Sequence, residues 1–445
     1  MLFKISRQRL RMEENIKKYK VALLILCAMW VQFTQAQNIT NSIYSRYGYG
    51  TEVFKGFAQN IALGGTGVAQ KGPFHLNYNN PASNVALKLT AFNAGISANY
   101  TQQLNTTDTI VNKSGSFGYL AVGFPITKWW GLSFGIIPYS GVGYKVADTT
   151  TFGKREIVNT YKGSGGLNKL YIANGFNPFK IFSDSLMKGF AIGVNSEFTF
   201  GNTTNEEYKS FIGNDTSYYL NILNTKYQMM RGFSFLLGLQ HTLNVNDETK
   251  ITLGFSYGFK GNLNIDESIN SERYFNTNLA SSLVDTAYYS ESNTVFAYLP
   301  SQYTFGFNVQ MGPKVNYSVE YKVVNWGSDS ISGVQSNLKN SRTIAAGLQY
   351  FPNSQSPDGI LGHTYYRFGY KNTALPYYLN DTQILENAFT LGAGFPLRKA
   401  VSTVNIGMEI GRRGTTLANL VKENYFMINV GFTINDRWFI KTKYD

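Results

Sequence analysis

The chain is poor in the residues that stabilise disulfide-rich or metal-containing proteins. Of its 445 residues, one is cysteine, Cys27, and three are histidine. A single cysteine excludes a disulfide scaffold, and three scattered histidines do not match the spacing of a metal site. Charged residues amount to 15%, whereas about 25% is usual in a soluble domain. We therefore expect no metal and no cofactor, and the composition disfavours a soluble enzyme.

Long apolar runs are also missing. After the N-terminal region, no stretch approaches the roughly 18 consecutive apolar residues that indicate a transmembrane helix, and the mean hydropathy is −0.20. The chain is instead rich in aromatic residues, with 31 Tyr, 32 Phe and 5 Trp, and it contains 43 glycines. This aromatic content excludes intrinsic disorder. The combination is typical of a β-sheet with one apolar face and one polar, weakly charged face.

Residues 1–36 predict an export signal. A basic stretch precedes an apolar run over residues 21–31, and Thr34 and Ala36 place small residues just before Gln37. The run is too short to span a membrane, so we expect cleavage after Ala36. The formal net charge is +13, but the basic residues are scattered and we expect the chain to be exported. We therefore expect no nucleic-acid partner.

Strict alternation of apolar and polar residues is the main signal in the rest of the chain. It is clear over residues 250–266, 302–312, 314–323, 402–411 and 425–435. In the first of these, the predicted apolar face contains Ile251, Leu253, Phe255, Tyr257, Phe259, Leu263 and Ile265. A soluble β-sandwich alternates as well. However, the strands are longer than the usual five or six residues, and the polar face is rich in Asn, Thr, Ser and Gly. These features favour a transmembrane barrel.

We predict an all-β fold, a 14-stranded antiparallel transmembrane β-barrel over residues 86–445. The expected strands are 86–103, 115–127, 130–146, 165–177, 188–202, 225–245, 248–268, 301–312, 314–327, 340–352, 363–373, 384–397, 401–413 and 423–436. An even number of strands is typical of bacterial barrels. The expected outer loops are 104–114, 147–164, 203–224 and 269–300.

Residues 37–85 do not alternate and contain many small residues. Gly64, Gly65 and Gly67 form a glycine-rich stretch, and Asn80-Pro81-Ala82 follows it. The stretch is not a phosphate-binding loop, because Gln70 replaces a required glycine and no Lys-Ser/Thr pair follows. We predict that residues 37–85 form a compact hatch, or plug, inside the lumen, where glycines allow close backbone packing.

The order of these features resembles the FadL-type outer-membrane transporters of long-chain fatty acids and other hydrophobic compounds. The resemblance depends on Asn80-Pro81-Ala82, on Leu299-Pro300 with Gly306, and on Glu320-Tyr321 with Trp326. The Ser-Arg-Tyr-Gly opening at 45–48, Gly-Gly-Leu-Asn at 165–168 and Trp-Phe-Ile-Lys at 438–441 resemble the Bacteroidota branch of this family. The resemblance implies the outer membrane of a Gram-negative bacterium, with passive uptake of a hydrophobic small molecule and contact with outer-membrane lipid.

Pro138 interrupts the third predicted strand, and Gly141 and Gly143 follow it. Proline cannot donate a hydrogen bond to a β-ladder, so pairing must fail locally. One interpretation is a bulge that only shapes the barrel. The other is a lateral gate, and the resemblance supports it because the family has a kink in its third strand through which ligand is thought to leave.

Charged residues on the predicted inner face form a third group of candidates. They are Glu197, Lys250, Lys260, Lys314, Glu320, Lys322, Glu409 and Arg413. They could bind a carboxylate head group. We favour the alternative, that they hydrate the lumen or hold the plug in place.

Two other classes of function are alternatives to transport. A lipid hydrolase needs a nucleophile beside a histidine, but His75, His241 and His363 have no recognisable partner motif. We therefore expect no enzyme activity. A non-transporting barrel subunit of an outer-membrane protein secretion or assembly complex remains open, with the long aromatic loops as docking surfaces for other subunits.

Overall fold

A computed structural model describes residues 40–106, 108–152, 155–181, 186–212, 220–275, 283–291, 295–326, 338–352, 360–397 and 401–436. The predicted export signal and the 438–441 motif lie outside these residues. Within them, no helix is long and apolar enough to cross a membrane. Over these ranges the structure is an antiparallel β-sheet with one short α-helix, α1 (Ala58–Ile61).

The strands in chain order are β1 (Thr51–Glu52), β2 (Thr90–Leu104), β3 (Thr109–Pro125), β4 (Trp130–Phe152), β5 (Arg155–Phe176), β6 (Phe190–Ile212), β7 (Asn221–Asn244), β8 (Thr249–Gly258), β9 (Gly261–Tyr274), β10 (Leu283–Glu291), β11 (Val295–Leu299), β12 (Ser301–Met311), β13 (Val315–Asn325), β14 (Ser341–Tyr350), β15 (Tyr365–Leu379), β16 (Thr382–Pro396), β17 (Thr403–Arg413) and β18 (Lys422–Asp436). Short 3₁₀ turns at Ile43–Arg46, Pro81–Ala86, Pro178–Ile181, Leu186–Gly189, Ile360–His363 and Leu417–Asn419 connect them.

The sheet closes on itself, because β18 pairs with β2 along its whole length. β8 and β9 both pair with β7 and together follow one path around the wall. β10, β11 and β12 likewise share the next path, since they pair with β9, β9 and β8 in turn. The described strands therefore form fourteen barrel paths. The predicted 14-stranded antiparallel barrel is confirmed.

The two faces of the wall differ as the alternation predicts. Leu253 and Phe305 point outward and are about half exposed. Thr252, Ser256 and Thr304, at alternate positions of the same strands, are buried inside the barrel. The same alternation runs through β13, β17 and β18. An outward apolar face and an inward polar face are what a barrel in lipid requires.

The alternation reverses between β8 and β9, where the prediction is wrong. Phe259 and Lys260 lie outside the strand ladder, so the inward face passes from Gly258 to Gly261, three residues on. Leu263 and Ile265 are therefore fully buried inside the barrel rather than facing outward with Leu253. Positions on one face of a regular strand are an even number of residues apart. The step of three from Gly258 to Gly261 therefore moves every following side chain to the other face.

The predicted outer loops are largely strands. β4 continues to Phe152 and β5 begins at Arg155, so most of the expected loop over 147–164 belongs to these two strands. β6, β7, β9 and β10 likewise extend into the expected loops 203–224 and 269–300, and β3 begins within 104–114. β4 to β7 have 22 to 24 residues each, about twice the 9–11 that span a membrane. The parts of these strands nearer the β4–β5 and β6–β7 connections are named here the upper parts. They continue as a polar sheet, because cross-strand hydrogen bonds do not need an apolar face.

Residues 40–89, named here the inner segment, precede the first barrel strand and pack against the inward face of the wall. Phe57, Leu76 and Leu87 of this segment form one apolar cluster with Tyr119 and Tyr171 of the wall. The core of the molecule therefore lies between the inner segment and the barrel.

Candidate functional site

The ladder between β3 and β4 covers only part of the two strands. Residues Leu120–Pro125 of β3 pair with Gly131–Ile136 of β4. Above this point, β3 continues to pair with β2 and β4 continues to pair with β5. Among the described residues no further β3–β4 pair forms, so the upper wall has a gap between these strands.

Pro138 lies where the gap begins. Proline has no backbone N–H, and the register of β4 with β5 shifts between Pro138 and Ser140. Gly141 and Gly143 follow on the part of β4 that borders the gap. The residues expected to interrupt the third barrel strand therefore stand beside a break in the wall, while their role as a gate stays a prediction.

The inner segment takes the place of β3 along the upper part of β4. We name residues 42–55 of the inner segment the latch. Its strand β1 pairs with β4, with Thr51 opposite Gly141 and Glu52 opposite Ser140. Further bonds run from Val53 N to Tyr139 O (3.1 Å), from Ser140 Oγ to Tyr49 O (2.7 Å) and from Gly143 N to Ser45 Oγ (3.0 Å). The latch thus satisfies backbone groups that a neighbouring barrel strand would otherwise bond.

A cavity of about 190 Å³ lies beside the gap. Pro138 lines it together with eight aromatic residues, which are Tyr49, Phe54, Tyr78, Tyr139, Phe235, Phe259, Trp326 and Tyr377. Aromatic walls with a few polar groups are typical of sites for small organic molecules. The cavity is therefore placed to hold such a molecule next to the break in the wall.

Several ion pairs also line this cavity, two of them apart from the ionic network described next. Lys322 Nζ lies 2.8 Å from the Glu52 carboxylate, and Lys169 Nζ lies 2.6 Å from the Glu197 carboxylate. The Tyr78 hydroxyl donates to Glu197 at 2.7 Å. Burial raises the pKa of Glu52, but the positive charges of Lys322, Lys55 and Lys169 outweigh it and hold the pKa below its usual value. The potential at the Glu52 carboxylate is therefore positive.

A buried ionic network ties the lower end of the latch to the wall. Lys55 Nζ lies 3.1 Å from both Glu386 and Glu409. Lys371 lies 2.5 Å from Glu409, and Arg413 lies 2.8 Å from Glu386. Burial lowers the pKa of Lys55, but the two carboxylates outweigh it and hold the pKa well above its usual value. Each charge in this low-dielectric site is paired.

Glu423 anchors the other end of the latch. Its carboxylate accepts from Ser42 Oγ at 2.8 Å and from the backbone N–H of Ile43 at 2.9 Å. Arg413 lies 3.4 Å from Glu423, which joins this anchor to the ionic network. The Tyr44 hydroxyl also donates to the carbonyl of Val421.

Below the latch, the inner segment packs on a ring of wall glycines, which we name the glycine belt. A Cβ at any of them would lie within 3 Å of an atom of the inner segment. The belt comprises Gly123, Gly131, Gly175, Gly193, Gly238, Gly254, Gly306, Gly347, Gly369, Gly392, Gly407 and Gly431, one each on twelve strands. Because these residues lack side chains, the inner segment approaches the backbone of the wall directly.

The predicted hatch residues lie against this belt. The Asn80 amide donates to the carbonyls of Val68 (2.8 Å) and Leu239 (3.0 Å), and its carbonyl accepts from Ala82 N (3.1 Å). Pro81 begins a 3₁₀ turn. Asn80-Pro81-Ala82 therefore caps a local turn and joins the inner segment to the wall.

The glycine-rich stretch bends where a side chain could not be accommodated. Gly64 and Gly65 have φ of 72° and 88°, a conformation that favours glycine. The N–H groups of Gly67 and Val68 both donate to Glu320, at 2.7 and 2.8 Å. The predicted boundaries of the hatch, 37 and 85, stay a prediction.

The structure places five of the eight predicted lumen charges against the inner segment. The contacts are Glu197 with Tyr78, Glu320 with Gly67, Lys322 with Glu52, Glu409 with Lys55, and Arg413 with Ser42. The other three, Lys250, Lys260 and Lys314, are exposed. Lys314 lies in the turn between β12 and β13, and Lys260 stacks over the Tyr298 ring.

Sequence reasoning missed Lys371, Glu386, Glu423 and the glycine belt. All occupy inward positions of alternating strands, where a glycine or a charge recurs beside outward aromatic residues. Within the described ranges, no group of three or more His, Cys, Asp or Glu side chains could hold a metal ion.

Comparisons with known proteins agree with this architecture. A family model described as BamG matches residues 15–445. No curated protein shows significant sequence similarity to the chain.

Among solved structures, the Ralstonia pickettii toluene transporter TbuX is similar with a TM-score of 0.55 and 13% identity, over 85% of this chain and 98% of that one. A Pseudomonas aeruginosa FadL homologue gives 0.56 and 11% over 85% and 98%. The Pseudomonas putida toluene transporter TodX gives 0.52 and 14% over 86% and 98%. These likenesses establish a FadL-like barrel fold.

Proposed function

The chain belongs to the BamG family, and from this premise we propose that it is a passive outer-membrane channel for hydrophobic small molecules with release through the barrel wall. Long-chain fatty acids and other apolar compounds are the proposed substrates. Residues 1–36 are proposed as a cleaved export signal and residues 37–85 as a hatch. Three of the solved structures with this fold are described as toluene transporters or as a FadL homologue.

The observation that carries this proposal is the gap between β3 and β4 beside the aromatic cavity. The ladder between the two strands ends at Ile136, and Pro138 lines the cavity immediately beyond it. A molecule in the cavity is therefore separated from the bilayer by the latch rather than by a complete sheet. The glycine belt disfavours an axial route, because the inner segment packs on the wall backbone there.

The proposed route needs no energy source other than the concentration gradient. An apolar molecule enters from above and binds among Tyr49, Tyr139 and Trp326. When the latch separates from β4, the molecule leaves sideways into lipid. Moving apolar surface from water into hydrocarbon is favourable by about 25 cal/mol per Å². A lateral exit takes the molecule directly into hydrocarbon, so the molecule does not cross the polar interior of the barrel.

Uptake by proteoliposomes tests the proposal. The purified chain in vesicles should speed the entry of 1-N-phenylnaphthylamine, a neutral fluorescent hydrophobe. The double variant Pro138→Val with Gly141→Val should slow entry, because both residues then favour regular pairing of β4. Gly362→Ala is the control, since nothing lies within 4 Å of a Cβ there. Equal entry rates with and without the protein would disprove the channel.

A second candidate is a non-transporting subunit of an outer-membrane secretion or assembly complex. The observation that favours it is the polar sheet formed by the upper parts of β4 to β7, β9 and β10, which extends past the length needed to span a membrane. Co-purification in mild detergent distinguishes the two. A stoichiometric partner protein, together with no effect of the chain on hydrophobe entry, would favour the subunit.

A further inference from the structure

We infer that Arg412, flanked by Lys113 and Lys422, binds the phosphate of a glycolipid of the outer leaflet, on the outside of the barrel wall. This inference goes beyond the proposed channel and does not rest on it, because it requires only that the barrel lies in an outer membrane. It names a ligand class, a phosphorylated glycolipid, and a site that faces the bilayer rather than the lumen.

The first step is the level of Arg412 in the wall. The registers of β2, β18, β17, β16 and β15 place their outward residues in rows, directly opposite one another. One row is apolar and aromatic and consists of Tyr100, Phe426, Ile410, Phe389 and Tyr370. The outward row above it is polar and consists of Gln102, Asn424, Arg412, Asn387 and Asn372. Since β17 begins at Thr403, Arg412 is its tenth residue. A strand needs about 9–11 residues to span a membrane, so the polar row lies at the level of the upper head groups.

The second step is the missing counter-ion of Arg412. Its side chain is exposed, and within the described ranges it makes no hydrogen bond or ion pair. Arg413, the next residue, points inward and lies 2.8 Å from Glu386. The carboxylates closest in register, Glu386, Glu409 and Glu423, are all buried inside the barrel. The outer face at Arg412 therefore has a cation and no anion.

Two lysines on the same face add to this charge. Lys422 lies two residues above Asn424, which is directly opposite Arg412, and side chains in this diagonal relation are about 7–8 Å apart. Lys113 is diagonal to Gln102 at one end of the polar row. Neither ammonium group has an ion-pair partner in the part of the chain that the structure describes. Because the like charges of Arg412 and Lys422 repel each other, an anion bound between them is favoured.

Outward charges on β5 to β9 behave differently, since they pair with one another. Arg231 lies 3.0 Å from Asp266, and Lys162 lies 3.1 Å from Glu206. Unpaired outward cations are thus a feature of the wall around β17 and β18 and not of the whole barrel.

The third step is the chemistry of the partner. A guanidinium group binds phosphate through two parallel hydrogen bonds. Asn387 Oδ1 accepts from Asn372 at 2.6 Å, which leaves the Asn387 NH₂ group to donate to a phosphate or sugar oxygen. Directly below, Ile410 and Phe389 are 55% and 68% exposed and contact acyl chains. An acidic protein would supply the anion but not the acyl chains.

The upper end of the wall determines which lipid is present. β4 to β7 extend past the membrane at this end, and bacterial barrels have their longer extensions on the extracellular side. The upper head groups are therefore those of the outer leaflet, where phosphorylated glycolipid is found.

The experiment measures binding of monophosphoryl lipid A to the mature chain in detergent micelles by native mass spectrometry. The same lipid with its phosphate removed is the second probe. Arg412→Gln should weaken binding of the phosphorylated lipid by about tenfold, or about 1.4 kcal/mol, and leave the phosphate-free lipid unchanged. Arg412→Lys should recover part of the loss, because lysine keeps the charge but not the two parallel hydrogen bonds.

Arg231→Gln is the matched control, because Arg231 is also an exposed outward arginine but already has Asp266 as its partner. It should leave binding of both lipids unchanged. Each variant is first checked for the heat-modifiable folded band on a gel, and the comparison of the two lipids on the wild type needs no variant.

Equal affinity of the wild type for the two lipids would overturn the inference. Equal losses in Arg412→Gln and Arg231→Gln would also overturn it, since they would indicate a general effect of charge. If an acidic protein co-purifies with the wild type but not with Arg412→Gln, while lipid binding is the same in both, the patch binds protein and the inference is wrong.

Discussion

The two parts of the inner segment are held by different kinds of contact. Residues 56–89 pack on the glycine belt, where a methyl group added at Gly238 would lie 2.1 Å from Asn80 Oδ1. Residues 42–55, the latch, are held by a two-residue strand, a few backbone bonds and charged side chains. Backbone packing allows no small displacement, whereas side-chain anchors can exchange partners. The comparison indicates a fixed lower part and a releasable upper part.

The largest effect is expected at the belt. Gly238→Val should abolish the heat-modifiable folded band, because the new side chain overlaps the side chains of Asn80 and Pro81. Neither can move away easily, since Asn80 is hydrogen-bonded to Val68 and Leu239 and the proline ring is rigid. Overpacking of this kind costs about 3 kcal/mol or more. Gly362→Ala should leave the band intact. A folded Gly238→Val barrel would show that the lower part is also free to move.

Breaking the ionic network should have the next largest effect. Lys371→Met leaves Glu409 with Lys55 alone at short range, while Glu386 keeps Lys55 and Arg413. The variant should therefore lower the free energy of unfolding by about 3 kcal/mol. Urea unfolding in vesicles measures this. Lys162→Met, in an exposed pair, should cost less than about 1 kcal/mol. Equal costs at the two sites would mean that the network adds nothing to the anchoring of the latch.

A reversible cross-link sharpens the comparison for function rather than stability. Thr51 lies opposite Gly141, and paired Cα atoms in antiparallel strands are about 4.5–5.5 Å apart, within disulfide range. Thr51→Cys with Gly141→Cys should stop hydrophobe entry when oxidised and restore it on reduction. Thr343→Cys with Thr373→Cys, within the wall, should not change entry in either state. Unchanged entry through the oxidised latch would place the route elsewhere.

A smaller effect is expected at His75, in the lower part. Burial, with the positive charge of Arg367, lowers the pKa of His75 to about 4, whereas the unfolded value is about 6.5. The unfolded chain therefore takes up this proton first, and stability falls as the pH drops from about 6.5 towards 4. Urea midpoints at pH 7 and pH 5 should differ less in His75→Gln than in the wild type. An identical pH dependence would show that His75 is solvated.

The barrel could be predicted from the sequence because lipid and lumen impose opposite demands on neighbouring residues. Leu253 and Thr252 already show this in the printed sequence, and fourteen strands follow from repeating the pattern. The predicted loops were wrong because hydrogen bonding alone continues a strand after the apolar face ends, as in β5 and β6. The reversal of the two faces at Phe259 and Lys260 could not be predicted, since the apolar residues occupy odd-numbered positions on both sides of the break.

Much of the site could not be predicted, because it depends on contacts between distant parts of the chain. The pairing of Lys55 with Glu386 joins residues 331 positions apart. Pro138 carried its own signal, because proline in a closed barrel must interrupt pairing. The glycine belt had a weaker signal, the recurrence of glycine at inward positions such as Gly254, Gly306 and Gly407. On the sequence alone, that pattern indicates a polar lumen face rather than close packing.

The glycine belt also constrains the order of assembly. A wall with bare backbone at one level on twelve strands has little of its own to pack inward. Some of its inner charges, Lys322 and the Glu386–Glu409 pair, also find counter-ions on the inner segment. We therefore expect the segment that precedes every barrel strand in the chain to act as the template around which the strands close. The seam between β18 and β2 should then form only after that template is in position, which would make the inner segment a requirement for biogenesis as well as for any gating.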